Sequence, residues 1–330
     1  MAPADNDQLG VVVIGRNEAK RLAACLGAIL LELGENARHR TVYVDSGSVD
    51  DSVEIAEHLG VKVLRLDPML PFSAARARNE GFSLLRTLCS DLRFVQFIDG
   101  DCTLARGWCH TATLFLEDQD NVAIVCGQLR ECAPGRSVYN QMCDIEWDAP
   151  AGETTACGGV ALVSVCAFAA VKGFNARLAA GEEPELCIRL RERGWVIWRL
   201  ASLMAQHDAD ITRFAEWWRR MVRNGRAFAQ VWLLHRHSPH CIWGRETTRA
   251  VVWGGLLPLA CLVGTLAVHP AALLLLLAYP LQIVRVAGKR GLGKALSWRY
   301  GALMMIGKFA EFQGVLSLLR DRVRSTTTLP

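Results

Sequence analysis

Two hydrophobic rhythms divide this chain. Up to about residue 210, short β-branched runs alternate with segments of helical spacing; beyond it, apolar residues crowd into two long, nearly uninterrupted runs. "GVVVIG" (10–15), "TVYVDSGS" (41–48), "VKVLRL" (61–66) and "RFVQFID" (93–99) read as strands. Between them "EAKRLAACLGAILLEL" (18–33), "SVEIAEHLG" (52–60) and "FSAARARNEGFSLLRTL" (72–88) read as helices, the second stopped by Gly60. Strands separated by single helices pair in parallel through right-handed crossovers, which predicts an open α/β sheet.

Sites in such sheets lie beyond the carboxyl ends of the strands. That rule gathers Arg16, Asn17 and Glu18, then Asp45, Ser46 and Ser48, then Asp99 and Asp101, on one rim. No GxGxxG follows the first strand and no GxxxxGK[ST] occurs, so neither a dinucleotide fingerprint nor a P-loop accounts for it. Asp99 and Asp101 flank Gly100, and two carboxylates so spaced can converge on one hard divalent cation, Mg or Mn, which would neutralise charge on a departing diphosphate. A solvated turn is the simpler alternative for the same three residues.

The two long runs, "AVVWGGLLPLACLVGTLAV" (250–268) and "AALLLLLAYPLQIVRVA" (271–287), hold one charged residue, Arg285, and each approaches the roughly 20 residues needed to cross a bilayer. They predict a membrane hairpin over 250–287, broken at His269–Pro270; a buried helical pair is the alternative. Charge follows the same division. Residues 1–210 hold 20 Lys/Arg and 29 Asp/Glu, residues 211–330 hold 17 and 4, and together these give the net +4 of the chain. Arg245 and Arg249 precede the hairpin and Lys289, Arg290, Lys294 and Arg299 follow it, which places both flanks in the cytoplasm and the catalytic part at the inner face of the cytoplasmic membrane. Because the basic residues interleave with this membrane-like region, nucleic acid is not expected as a partner.

The segment 211–249 opens with "ITRFAEWWRRMVRNGRAFAQVWLL" (211–234), a basic amphipathic helix suited either to an anionic membrane surface or to packing beneath the preceding domain. Residues 288–330 contain Lys308 and Glu311 within an apolar stretch, so they read as an interfacial or packed helix and tail rather than a third span. The twelve cysteines show no CxxC pairing, and "MAPADNDQLG" lacks an apolar run, so reduced thiols and no secretory leader are expected. "HRHSPHC" (235–241) reads as a polar linker rather than a zinc site, since no matching ligand pair accompanies it.

"VVVIGRNEAKRL", "VYVDSGSVDDS", "ARARNEGF", "FVQFIDGD" and "GGVALVSVCAFAAVKGFNARLAAGEEPELCIRLRERGW" resemble, in order and spacing, the motifs of the family 2 glycosyltransferases, inverting enzymes of the GT-A fold. The resemblance covers about residues 10–210. It implies a catalytic domain over 1–210 in which Asn17, Glu18 and Asp45 line the nucleotide pocket, Arg78 contacts phosphate or base with Asn79 beside it, and Asp99 and Asp101 form the metal-binding carboxylate pair. His207 in "LMAQHDAD" completes the metal shell on the same resemblance. The family commonly places Glu-Asp at the start of the helix after a Gly-Phe turn, with the aspartate as base. Here Glu182 and Glu183 stand there, leaving both as candidates, with Glu183 at the aspartate's place. Gly158 and Gly159 fall on the acceptor side, where missing side chains let substrate approach.

The QxxRW motif and many membrane helices of processive members are absent, so the resemblance implies transfer of one sugar to a lipid-linked or saccharide acceptor. UDP-sugars are the favoured donors and GDP-sugars the alternative, with cell-surface polysaccharide or glycolipid synthesis as the setting. A sugar-binding membrane scaffold without activity, and a nucleotidyltransferase, are the competing functions. The second would need a glycine-rich basic loop, and "GRNEAKR" supplies one glycine.

Overall fold

The computed structural model describes residues 8–327. They divide into a sheet unit, residues 8–136 with 143–210, and a helical unit, residues 137–142 with 211–327.

The sheet unit begins β1 (Leu9–Gly15), α1 (Ala19–Leu33), β2 (Thr41–Asp45), α2 (Ser52–His58), β3 (Lys62–Arg65), α3 (Ala74–Leu88) and β4 (Phe94–Asp99), the alternation expected from the sequence. It continues through β5 (Cys102–Leu104), α4 (Trp108–Asp118), β6 (Val122–Glu131), α5 (Val138–Trp147, whose residues up to Met142 belong to the helical unit), β7 (Gly152–Glu153), β8 (Ala161–Ser164), α6 (Val165–Ala170), α7 (Glu182–Arg191) and β9 (Val196–His207). The strand order is β3-β2-β1-β4-β8-β6-β9-β5, with β7 on β9. Strands β3, β2, β1 and β4 pair in parallel. The rest of the sheet is mixed: β8 runs antiparallel to both β4 and β6, while β6 and β9 are parallel.

Val11, Val12 and Val13 of β1 are wholly enclosed, as a central strand covered on both faces requires. Helix α3 comes unusually close to this sheet: a Cβ on Gly81 would meet Val12 and Val44 at 2.6 Å, so glycine is what lets the helix seat. Ser73 caps α3 by accepting from the Arg76 amide at 3.2 Å. Phe82, Phe97, Phe168 and Phe174 form an edge-to-face and tilted cluster, with ring centroids 4.8–5.3 Å apart.

The helical unit contains α8 (Phe214–His235), α9 (Gly244–Val251), a π-helical turn (Val252–Leu256), α10 (Leu257–Ala267), a 3₁₀ segment (Pro270–Leu277), α11 (Ala278–Gly288) and α12 (Ala295–Thr327). His269 ends the first apolar run and caps the second, its Nδ1 accepting from the Ala271 amide at 3.1 Å. In the π turn the Trp253 carbonyl accepts from the Tyr279 hydroxyl at 2.5 Å. Among the described residues three helices are long and apolar enough to cross a membrane: 244–267, 270–288 and 295–324. Their most apolar windows differ in enclosure, at 17, 6 and 44% buried, so the third is far more covered by protein.

What covers α12 is visible in its contacts. A Cβ on Gly225 of α8 would collide with the Glu311 carbonyl, one on Gly314 with the Val222 carbonyl, and one on Gly254 with the Lys308 carbonyl. Small residues thus bring backbones together, as at tight helix crossings in membranes. Trp218 donates to Gln313 at 2.9 Å and Arg226 to Asp321 at 2.6 Å. Lys308 and Glu311 form a buried ion pair at 2.6 Å inside α12.

Candidate active site

Sheet register builds two rows of functional groups. Asp45 stands opposite Gly15, and Asp99 opposite Ile14, so the ends of β2, β1 and β4 are level. In the second row Cys102 pairs with His207, and His207 with Glu131, across β5, β9 and β6.

The first row supports a pair of interlocked loops. Asn17 takes a left-handed conformation (φ 59°), which asparagine tolerates. Its amide donates to Ser48 Oγ at 2.9 Å, and its side-chain oxygen accepts from Val49 N at 2.9 Å. Asp45 is buried and accepts from the amides of Gly47 and Ser48 at 3.0 and 3.1 Å. Glu18 pairs with Arg21 at 2.5 Å. Burial, reinforced by the nearby Asp101 charge, raises its pKa to about 7 against the pull of Arg21.

The third expected pocket residue differs from its reading in the sequence. Arg78, expected at a phosphate or base, is buried: Nη2 binds Asp99 at 2.7 Å, and Nη1 binds Glu182 at 2.7 Å and Glu183 at 3.2 Å. Asn79 is likewise engaged, its side chain donating to the Phe174 carbonyl at 2.8 Å and accepting from the Phe174 amide at 2.9 Å. Both residues tie α3 to neighbouring backbone and carboxylates, and their side chains are committed there.

Glycine explains how these groups fit. A Cβ on Gly159 would lie 2.7 Å from Asp99 Oδ2, 2.9 Å from Arg78 Nη2 and 3.2 Å from Glu183 Oε1, so any larger residue would fill the centre of the cluster. Gly158 (φ 84°) faces open space. The two glutamates differ in access: the Glu182 side chain is 6% exposed and that of Glu183 is 17% exposed. Burial, with the Glu182 charge beside it, raises the Glu183 pKa to about 7 despite Arg78. A carboxylate so tuned suits proton abstraction near neutral pH. Burial also raises Asp99, Arg78 opposing it.

Asp101 and His207 approach each other, Oδ2 to Nε2 at 3.4 Å. With the Cys102 sulfur their ligand atoms all lie within 4.8 Å of one another. Burial holds the Cys102 thiol protonated, its pKa far above the ordinary range, and it donates to Asp101 at 3.5 Å. The donor set is therefore one carboxylate and one imidazole, with room in the shell for water and phosphate oxygens, which fits Mn²⁺. Asp99, expected to share this ion, turns instead to Arg78.

Glu131 and Trp147 were not singled out from the sequence. The Glu131 carboxylate lies 3.9 Å from His207 Nδ1 and accepts from the amides of Ala133 and Ala209. Burial alone would lower the His207 pKa, but Glu131 and Asp101 outweigh it and raise it. The Trp147 ring meets His207 edge-on at 4.6 Å. Glu131 was signalled by its place, since it ends β6 as Asp99 ends β4.

A mixed sheet with acidic groups at its strand ends and a carboxylate–imidazole pair beside them is the architecture of the GT-A fold. Comparison with known proteins agrees: the Glycosyl transferase family 2 profile matches residues 10–158. Glycosyltransferase AglE of Haloferax volcanii is 23% identical over 238 residues, 70% of this chain and 76% of its own length. Among solved structures, mannosyltransferase PcManGT from Pyrobaculum calidifontis, in complex with GDP-Man and Mn²⁺, superposes with a TM-score of 0.64 at 16% identity, over 95% of this chain and 87% of its own. TarS 1–349 of S. aureus, in complex with UDP-GlcNAc, gives 0.51 at 14%, over 93% and 90%. These two likenesses establish the GT-A fold.

Proposed function

We propose that this glycosyltransferase moves a sugar from a nucleotide-diphosphate donor to a membrane-held or membrane-proximal acceptor, with inversion and with a divalent cation, at the cytoplasmic face of the inner membrane. The observation that carries this reading is the meeting of Glu183 and Asp99 around Gly159, two residues along the chain from the Asp101–His207 pair.

Asn17, Glu18 and Asp45 bind the nucleoside end of the donor at the strand rim. Asp101 and His207 would hold Mn²⁺ or Mg²⁺, whose charge offsets that of the leaving diphosphate. Glu183 accepts the proton of the acceptor hydroxyl. The freed oxygen bonds to the anomeric carbon as the bond from that carbon to the diphosphate oxygen breaks, and the nucleoside diphosphate leaves. Glu182, less exposed and nearer Arg78 than Glu183, is assigned to holding the guanidinium rather than to proton transfer. GDP-Man and UDP-GlcNAc are each bound by a structural neighbour, which supports a nucleotide-sugar donor and makes both the probes of choice.

The apolar runs of 250–287 form a membrane hairpin in this reading, supported by their exposed leucines, while α12 lies packed along α8. Such an anchor suits polysaccharide or glycolipid synthesis.

The test is the melting shift of the full-length protein in detergent with GDP-mannose or UDP-GlcNAc, with and without Mn²⁺, beside Asp101→Ala. A ligand that binds only the folded state must raise its stability. A shift requiring both sugar nucleotide and Mn²⁺, absent in the variant, supports the reading; an equal shift in the variant refutes the metal assignment.

A further inference from the structure

Arg78 brings together parts of the site that are far apart in the chain. It lies on α3, with 2% of its side chain exposed, and meets Asp99 from β4 and Glu182 and Glu183 from α7. The two ends of its fork are divided between these elements: Nη1 serves α7, while Nη2 serves Asp99 at 2.7 Å and the Gly159 carbonyl at 3.4 Å. The guanidinium carbon stands 5.6 Å over the Phe174 ring, and Asn79 fixes the Phe174 backbone from the next position. Both terminal nitrogens of the fork are engaged by protein groups, and its Nε is enclosed without a partner.

We propose that Arg78 is a positioning residue that sets the base against the donor side of the site. Its fork spans from α7 to β4 and fixes the orientation of Glu183 across the gap at Gly159, and Glu182 is the anchor that holds the fork. This rests on the glycosyl-transfer reading above and departs from the phosphate contact that resemblance implied. Planarity matters here, because two differently directed ion pairs need a fork; a lysine has one compact charge and can satisfy only one of them.

The experiment uses the full-length protein in detergent with Mn²⁺, GDP-mannose and UDP-GlcNAc as donors, and donor hydrolysis as the rate, water standing in as acceptor. Arg78→Lys is expected to slow turnover about 100-fold, the scale of a small misplacement of a reacting group, while donor Kd changes less than about threefold, since the fork touches no donor atom. Arg78→Gln combined with Glu183→Gln should be no slower than Glu183→Gln alone, because residues that act as a unit do not add. A donor Kd raised about tenfold or more with turnover kept, or losses that multiply in the double variant, would overturn the proposal and make Arg78 a donor contact.

Melting temperature reads the clamp without turnover. Arg78→Gln leaves buried carboxylates uncompensated and should lower Tm by about 10 °C at pH 8, and adding Glu182→Gln should restore most of that loss. If the two melting shifts simply add, the clamp itself is refuted. If the melting cycle holds but the wild type neither binds nor hydrolyses either donor, the functional reading fails while the clamp stands.

Discussion

In the sheet unit Val11, Val12 and Val13 are fully enclosed and the charged groups collect at strand ends; in the helical unit Leu266, Leu274 and Leu281 are 78, 65 and 68% exposed while Lys308 and Glu311 lie inside. The first arrangement is what water selects. The second is reversed, and it makes physical sense when the surrounding medium is itself apolar. Charge burial differs in kind as well. Around Arg78 a cation holds three carboxylates from elements distant in sequence, whereas Lys308 and Glu311 pair within one helical turn.

The comparison predicts different responses to substitution. The largest belongs to the sheet unit: Glu183→Gln should cut transfer or donor hydrolysis about 1,000-fold with donor binding intact, and an equal loss confined to Glu182→Gln would reverse the two roles. In the helical unit, Leu274→Asp should disfavour membrane insertion by about 3 kcal/mol, read as the share of protein recovered in membranes after carbonate washing. Unchanged recovery would mean that the exposed leucines do not face lipid.

Gly225→Val forces a side chain into the Glu311 backbone and should destabilise the protein by about 2 kcal/mol, seen as a lower melting temperature. The donor-induced melting shift should persist, because the proposed donor residues belong to the other unit. The mildest change needs no substitution. With Glu183 raised to about 7 by burial and by Glu182, the unprotonated base is lost as pH falls. The rate should therefore rise with pH through about 7 and then level, falling about tenfold per unit below it; a flat profile from pH 5 to 8 would assign the base elsewhere.

Much of the sheet unit was legible because local signals suffice there. Alternating strands and helices imply parallel pairing, and polar residues at strand ends fall on the rim whatever the exact register, which is how Asn17, Asp45 and Asp99 were found. The ion pairs of Arg78 were not legible because its partners lie 21, 104 and 105 positions away, and no local pattern tells a buried cation from an exposed one. Asp99 was assigned to the metal by its spacing from Asp101, yet its side chain is drawn to that arginine. The place of Glu131 beside His207 depends on β6 pairing with β9, a non-local register. In the helical unit the apolar runs were plain from composition. The tight approach of α12 to Gly225 and Gly254 was not, because glycine in a helix signals a close neighbour only once that neighbour is known.

The π turn at 252–256 carries a consequence for chain length. A turn of this kind accommodates about one residue more than an α-helical turn, so it shifts the phase of everything beyond it by roughly 100°. Deleting one residue there would restore an ordinary helix while rotating α10 relative to α9. The Trp253 carbonyl would lose the Tyr279 hydroxyl, and Gly254 would turn from Lys308. The helical unit is thus sensitive to a single-residue deletion in this turn, because the phase of every residue beyond it depends on the extra one.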